Sequence, residues 1–178
     1  MLTKAEKEYC LDLARSSIAF KLKLINEIPA CPSGAIFTEK YGLFVTLHKN
    51  GRLRGCIGYI LPYKDLYTSI IELGQAAAFR DNRFSPVKIE EIEHLQIEIS
   101  ILSPLYEISD IDEIEIGRDG LYIQHPYSSG LLLPQVAIEH NWDKNTFLIE
   151  TCRKAGLPSN ILKDKSTKIY RFEAEIFS

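Results

Sequence analysis

At 178 residues, 46% hydrophobic and 25% charged, the chain has the size and composition of one globular domain with a sizeable core. A net charge of −3 and an isoelectric point near 5.8 supply no broad basic field, which argues against nonspecific nucleic-acid binding as a default role. The first eight residues are too charged for a secretion signal and no apolar run reaches membrane-spanning length, so the expected compartment is the cytoplasm and no membrane partner is expected.

Thr3 and Glu6 form a capping box ahead of Leu11, Ala14, Ile18, Leu22 and Ile25, a spacing that predicts a helix to about Glu27, stopped by Pro29 and Pro32. Cys10 falls in the same apolar stripe, which suits a core position. Ala35 to Thr38 reads as a short strand, and Tyr41-Gly42 turns the chain into the segment that organises the rest. There, Asn50-Gly51 is a strong hairpin signal, because a type I′ turn needs positive φ at both central residues. It joins a strand at about 43–48 to one at about 52–59.

A two-residue loop pairs Lys49 with Arg52, Leu47 with Arg54 and Val45 with Cys56, so strand parity places Arg54 and Cys56 on one face, their Cα atoms about 6–7 Å apart. A guanidinium beside a thiol favours the thiolate, and Gly55 and Gly58 remove side chains that would hinder a backbone or a ligand. The alternative is that Cys56 is a small buried hydrophobe and the glycines mark bulges, which would break the parity.

Asp65 is placed to cap a helix carrying Leu66, Ile70, Leu73 and Ala77 on one face and ending near Phe79. Arg80, Asp81 and Arg83 then crowd a loop before Phe84-Ser85-Pro86, either as binding residues or as mutually paired, solvated charges. Ile89, Ile92 and Leu95 predict a helical turn, residues 96–102 alternate as a strand, and Asp110 to Glu115 reads as a charged linker or edge. A second hairpin joins 121–124 to 131–133 through a longer loop at 126–130. A short helix follows Pro134. Asp143 caps a helix that reaches Ala155, with Trp142 stapled on Phe147 and Gly156 as its terminator, and alternation at Tyr170, Phe172, Ala174 and Ile176 closes the chain with an antiparallel strand.

Runs of strands joined by hairpins, with few helices, predict an α+β fold: a mainly antiparallel sheet flanked by helices, in a single domain over 1–178 with a smaller subdomain at about 104–134. There is no Walker loop, dinucleotide fingerprint, His-Glu-x-x-His or radical-SAM cysteine triplet, and His48, His94, His125 and His140 are scattered. No cofactor and no metal site are expected. Cys10, Cys31, Cys56 and Cys152 lack Cys-x-x-Cys spacing and read as reduced thiols. What remains is a thiol site at Cys56 with Arg54 as electrostatic partner and a histidine as base, for which the sequence places no base beside the thiol.

Leu53-Arg54-Gly55-Cys56-Ile57-Gly58 resembles the hallmark of the AMMECR domain family. Arg80-Asp81-Asn82-Arg83-Phe84-Ser85-Pro86, the run Gly130 to Ala137 and the segment Asn141 to Leu157 resemble the same family, and the likeness spans about residues 3–176. The resemblance implies a main sheet flanked by helices plus a smaller part, and an association with the AmmeMemoRadiSam system, hence with a Memo-like and a radical-SAM protein. It carries no established reaction.

The leading expectation is a cytoplasmic accessory or binding domain that recognises a small anionic ligand or a protein partner through a groove beside the hairpin. Arg54, Gly55, Gly58, Arg80, Asp81 and Arg83 are its candidate binding residues. The rival is an enzyme using Cys56 as a reactive thiol, and the third is a regulatory nucleic-acid binder.

Overall fold

The computed structural model describes residues 1–178, which form two compact units. The first holds Met1–Leu102 with Glu175–Ser178, and the second Ser103–Ala174. The elements are helical and antiparallel in the α+β manner expected, and none of the helices is long and apolar enough to cross a membrane.

In the first unit, α1 (Lys4–Lys21) and α2 (Leu66–Phe79) pack on a sheet in which β1 (Gly42–Lys49) lies between β2 (Arg52–Tyr59) and β3 (Leu95–Leu102). Leu13 and Ile18 of α1, Ile70 and Leu73 of α2, and Leu43, Val45, Leu47, Ile97 and Ile99 of the strands form its core. Burying each such aliphatic side chain contributes about 1.5–3 kcal/mol.

Thr3 closes the expected capping box, but α1 stops at Lys21, short of Glu27. Lys23 takes φ +61°, and the N–H groups of Lys23 and Leu24 return to the carbonyls of Phe20 and Ala19. This is a Schellman ending built without glycine, so the apolar period runs on past the helix. Ala35–Thr38 is a 3-10 turn in place of the expected strand; Phe37 buries from it against Tyr9.

Asn50 and Gly51 both have positive φ, as the type I′ turn requires. Lys49 pairs with Arg52 as expected, but the register then slips: His48 faces Leu53 and Leu47 faces Gly55. Arg54 is therefore the extra residue of a bulge, and Cys56 faces Thr46 where Val45 was expected.

The second unit arranges β5 (Asp119–His125) between β6 (Ser128–Leu132) and β7 (Lys168–Phe177), while β4 (Tyr106–Ile108) pairs on the other side of β7. β4 spans only three residues, and the second hairpin closes through Pro126-Tyr127 alone, not the longer loop expected. α3 (Pro134–Glu139) and α4 (Lys144–Lys154) cover β5, with Phe147, Leu148, Cys152, Leu121 and Ile123 in the core.

The unit runs from Ser103 to Ala174, with α4 and the start of β7 in its core. Asp143 caps α4 through the Thr146 N–H, Gly156 ends it at φ +69°, and Trp142 packs on the core from a half-buried position while stacking on His140.

Candidate functional site

β2 has β1 on one side only, so the outward peptide groups of its middle need other partners. At Cys56 those partners are side chains. Asp81 Oδ2 accepts the Cys56 N–H at 2.9 Å, and Arg83 Nη2 donates to the Cys56 carbonyl at 3.2 Å. The two side chains bind each other as well: Arg83 Nε donates to Asp81 Oδ1 at 2.9 Å and Nη2 to Oδ2 at 2.7 Å. The loop after α2 thus forms a charged clamp over the strand edge.

Asp81 is buried, with its side chain only 3% exposed. The Arg83 fork, against the opposing effect of burial and with help from the Cys56 N–H, holds its carboxyl well below the usual carboxylate range. The side chain of Arg80, its neighbour in sequence, is exposed and has no hydrogen-bond or ion-pair partner.

Gly55 is needed for packing. A Cβ there would lie 2.1 Å from the carbonyl oxygen of Ala77, so the strand and α2 meet backbone to backbone. A Cβ at Gly58 would strike the Phe44 ring at 2.3 Å.

The Cys56 thiol is half-buried, and its one hydrogen-bond partner is Thr46, whose hydroxyl donates to Sγ at 3.2 Å. No histidine or carboxylate lies within bonding distance of the sulfur. Arg54 is not its partner either. From its bulge, Arg54 reaches Glu91 in the 3-10 turn Ile89–His94, with Nε on Oε1 and Nη2 on Oε2, both at 3.0 Å. Lys49 Nζ joins Oε1 at 2.9 Å and the Lys88 N–H joins Oε2 at 3.0 Å. Arg54, then burial in opposition, then Lys49 and Lys88 set the Glu91 carboxyl well below its ordinary value.

Beside this cluster lies an open recess of about 510 Å³, lined by Lys49, Asn50, Arg52, Leu53, Arg54 and Glu91. It takes in the first two residues of the Leu53–Gly58 segment but not Arg80, Asp81 or Arg83. Sequence reasoning missed Glu91, Thr46, Lys49 and Arg52. Only Thr46 had a readable signal, since a bulge in β2 brings it opposite Cys56.

In the second unit, Ser166, His125 and Asp164 meet, yet not as a catalytic triad. Ser166 Oγ at 3.1 Å and Asp164 Oδ2 at 3.6 Å both approach His125 Nε2, while Nδ1 accepts the Tyr127 N–H. A triad needs the acid and the nucleophile on opposite ring nitrogens. The buried Asp119 is likewise structural. Burial opposes its charge, but the Arg118 fork, the Glu115 N–H and Arg171 outweigh burial and lower its pKa.

The AMMECR1 family model matches residues 11–177. A protein of Methanothermobacter thermautotrophicus is 42% identical over 99% of this chain and 95% of its own length, and Protein PYRAB00100 of Pyrococcus abyssi is 44% identical over 96% and 88%. The crystal structure of the uncharacterized protein PH0010 from Pyrococcus horikoshii superposes with a TM-score of 0.89 at 40% identity, covering 98% of this chain and 92% of that one. With its fold and nearly its whole length matched, the chain belongs to the AMMECR1 family.

Proposed function

We propose that the protein is a cytoplasmic accessory or binding domain, and that it recognises a small anionic ligand or a protein partner through the recess at the tip of the central hairpin. The observation that supports this reading is the recess itself: an open, cation-lined space beside Leu53 and Arg54, with Leu53 41% exposed at its wall. A catalytic thiol has weaker support. The clamp of Asp81 and Arg83 and the Thr46 hydroxyl hold Cys56 in place, but no base is in reach of its sulfur.

The Memo-like and radical-SAM proteins of the AmmeMemoRadiSam system are the proposed partners. Calorimetric titration with each, and with a panel of anionic metabolites and a short oligonucleotide, at two salt concentrations, tests the proposal. Binding that weakens with salt and is lost in Leu53→Ser, but kept in Arg80→Ala outside the recess, is the expected result. Loss with Arg80→Ala and not Leu53→Ser would move the surface to the 80–86 loop, and no binding to anything in the panel would remove the proposal.

A further inference from the structure

Glu91 is saturated. Its two oxygens receive four donors, two from Arg54 and one each from Lys49 and the Lys88 backbone. Arg52 adds a third cation to the same recess, exposed and without a hydrogen-bond or ion-pair partner. Three cations around one carboxylate leave two positive charges uncompensated in a space with no other acid in its lining. Donors are in excess too. Lys49 uses one of its three N–H bonds on Glu91, Arg52 uses none, and Arg54 Nη1 is buried with no acceptor.

We infer that this recess binds the dianionic phosphomonoester group of a small metabolite. The inference rests on the binding-domain reading above and adds to it the class of ligand. Two uncompensated charges match a dianion better than a monocarboxylate, and three phosphoryl oxygens can engage the ammonium of Lys49 and the fork of Arg52 together. The volume of about 510 Å³ admits an organic group beyond the phosphate itself.

The test is calorimetry of the full chain with phenyl phosphate, inorganic phosphate, sulfate and acetate. At pH ~8, where a phosphomonoester carries two charges, the phosphates and sulfate bind and acetate binds at least about tenfold more weakly. Near pH ~5 the phosphates lose a charge and weaken, while sulfate keeps both. Sulfate thus controls for titration of the protein, including His48 on β1 and Glu90, Glu93 and His94 in the turn that carries Glu91.

Arg52→Ala, which removes no contact of the fold, weakens phenyl phosphate by about tenfold or more with an unchanged melting temperature. Lys49→Gln weakens it as well while keeping the Arg54 fork on Glu91. Equal binding of acetate and phosphate, or undiminished binding in Arg52→Ala, overturns the inference. So does a terminally phosphorylated oligonucleotide or a phosphopeptide that binds far more tightly than phenyl phosphate. Should the dianions fail while the proposed partners still bind, the ligand class falls and the binding domain stands.

Discussion

The middle of β2 and its bulged start are each held by one carboxylate, Asp81 buried and Glu91 half-buried, and the two do different work. Asp81 binds main chain: it takes the Cys56 N–H and, with Arg83, closes a strand edge that would otherwise be open. Glu91 binds mostly side chains, gathering Lys49 and Arg54 around one charge. A carboxylate spent on backbone fixes the fold and neutralises its one guanidinium. One shared among several cations fixes a bulge and leaves positive charge beside it. Along one strand, therefore, the 80–83 loop reads as scaffold and the hairpin tip as surface.

The largest expected effect comes from breaking the scaffold half. Asp81→Ala leaves the Cys56 N–H without a partner and removes the charge that Arg83 faces, which should cost about 3 kcal/mol in urea unfolding. A loss near zero would mean that water replaces the clamp without penalty, and the contrast with Glu91 would lose its basis. On the other half, Arg54→Ala removes a guanidinium only 13% exposed but leaves Glu91 with Lys49 and the Lys88 N–H, so about 2 kcal/mol is expected. Arg83 is half exposed, but Arg83→Ala leaves the buried Asp81 carboxylate with backbone N–H donors and no cation, so it should cost at least as much as Arg54→Ala.

Both carboxyls have pKa values lowered on folding, so each contributes stability that is complete above its unfolded value near pH ~4 and is lost as pH falls below that toward the folded value. Each group contributes a slope of up to about 1.4 kcal/mol per pH unit in that window. Unfolding measured between pH ~4 and ~2 should be steep in the parent and shallower in Asp81→Asn, whose missing carboxyl can no longer take up a proton. An unchanged slope would show that other acids carry the acid sensitivity.

Where the fold was legible in the sequence, the signal was local. Asn50-Gly51 announced the hairpin, Asp65 and Asp143 their helices, and Gly156 a helix end, because each acts on backbone within four residues. What escaped was set at a distance or by an unusual residue. The slip at Arg54 depends on Glu91, 37 positions on, and the clamp on Cys56 joins residues 25 apart. The end of α1 escaped because Lys23 takes a conformation that glycine usually signals. Of the candidate site, the Leu53–Gly58 segment and the loop were readable as motifs. Their division into a surface and a scaffold was not, since it turns on which acid each arginine finds.

The smallest effect concerns the thiol, where the two halves of β2 make opposite claims. If Arg54 acted on Cys56 as strand parity suggested, Arg54→Gln would slow alkylation of that thiol. With Arg54 engaged by Glu91, the rate should not move. The group that does touch the sulfur is the Thr46 hydroxyl, whose hydrogen bond at 3.2 Å fixes the orientation of Sγ for attack. Thr46→Val should therefore slow labelling of Cys56 a few-fold, about 1 kcal/mol or less, while a melt shows little change. Cys31, exposed in its loop, serves as the internal reference, and buried Cys10, whose thiol burial pushes up to about 12, should stay unlabelled until the chain unfolds. A Cys56 that labels only with Cys10, on denaturation, would assign it to packing. Slower labelling in Arg54→Gln than in Thr46→Val would restore the arginine as its partner and undo the division of β2.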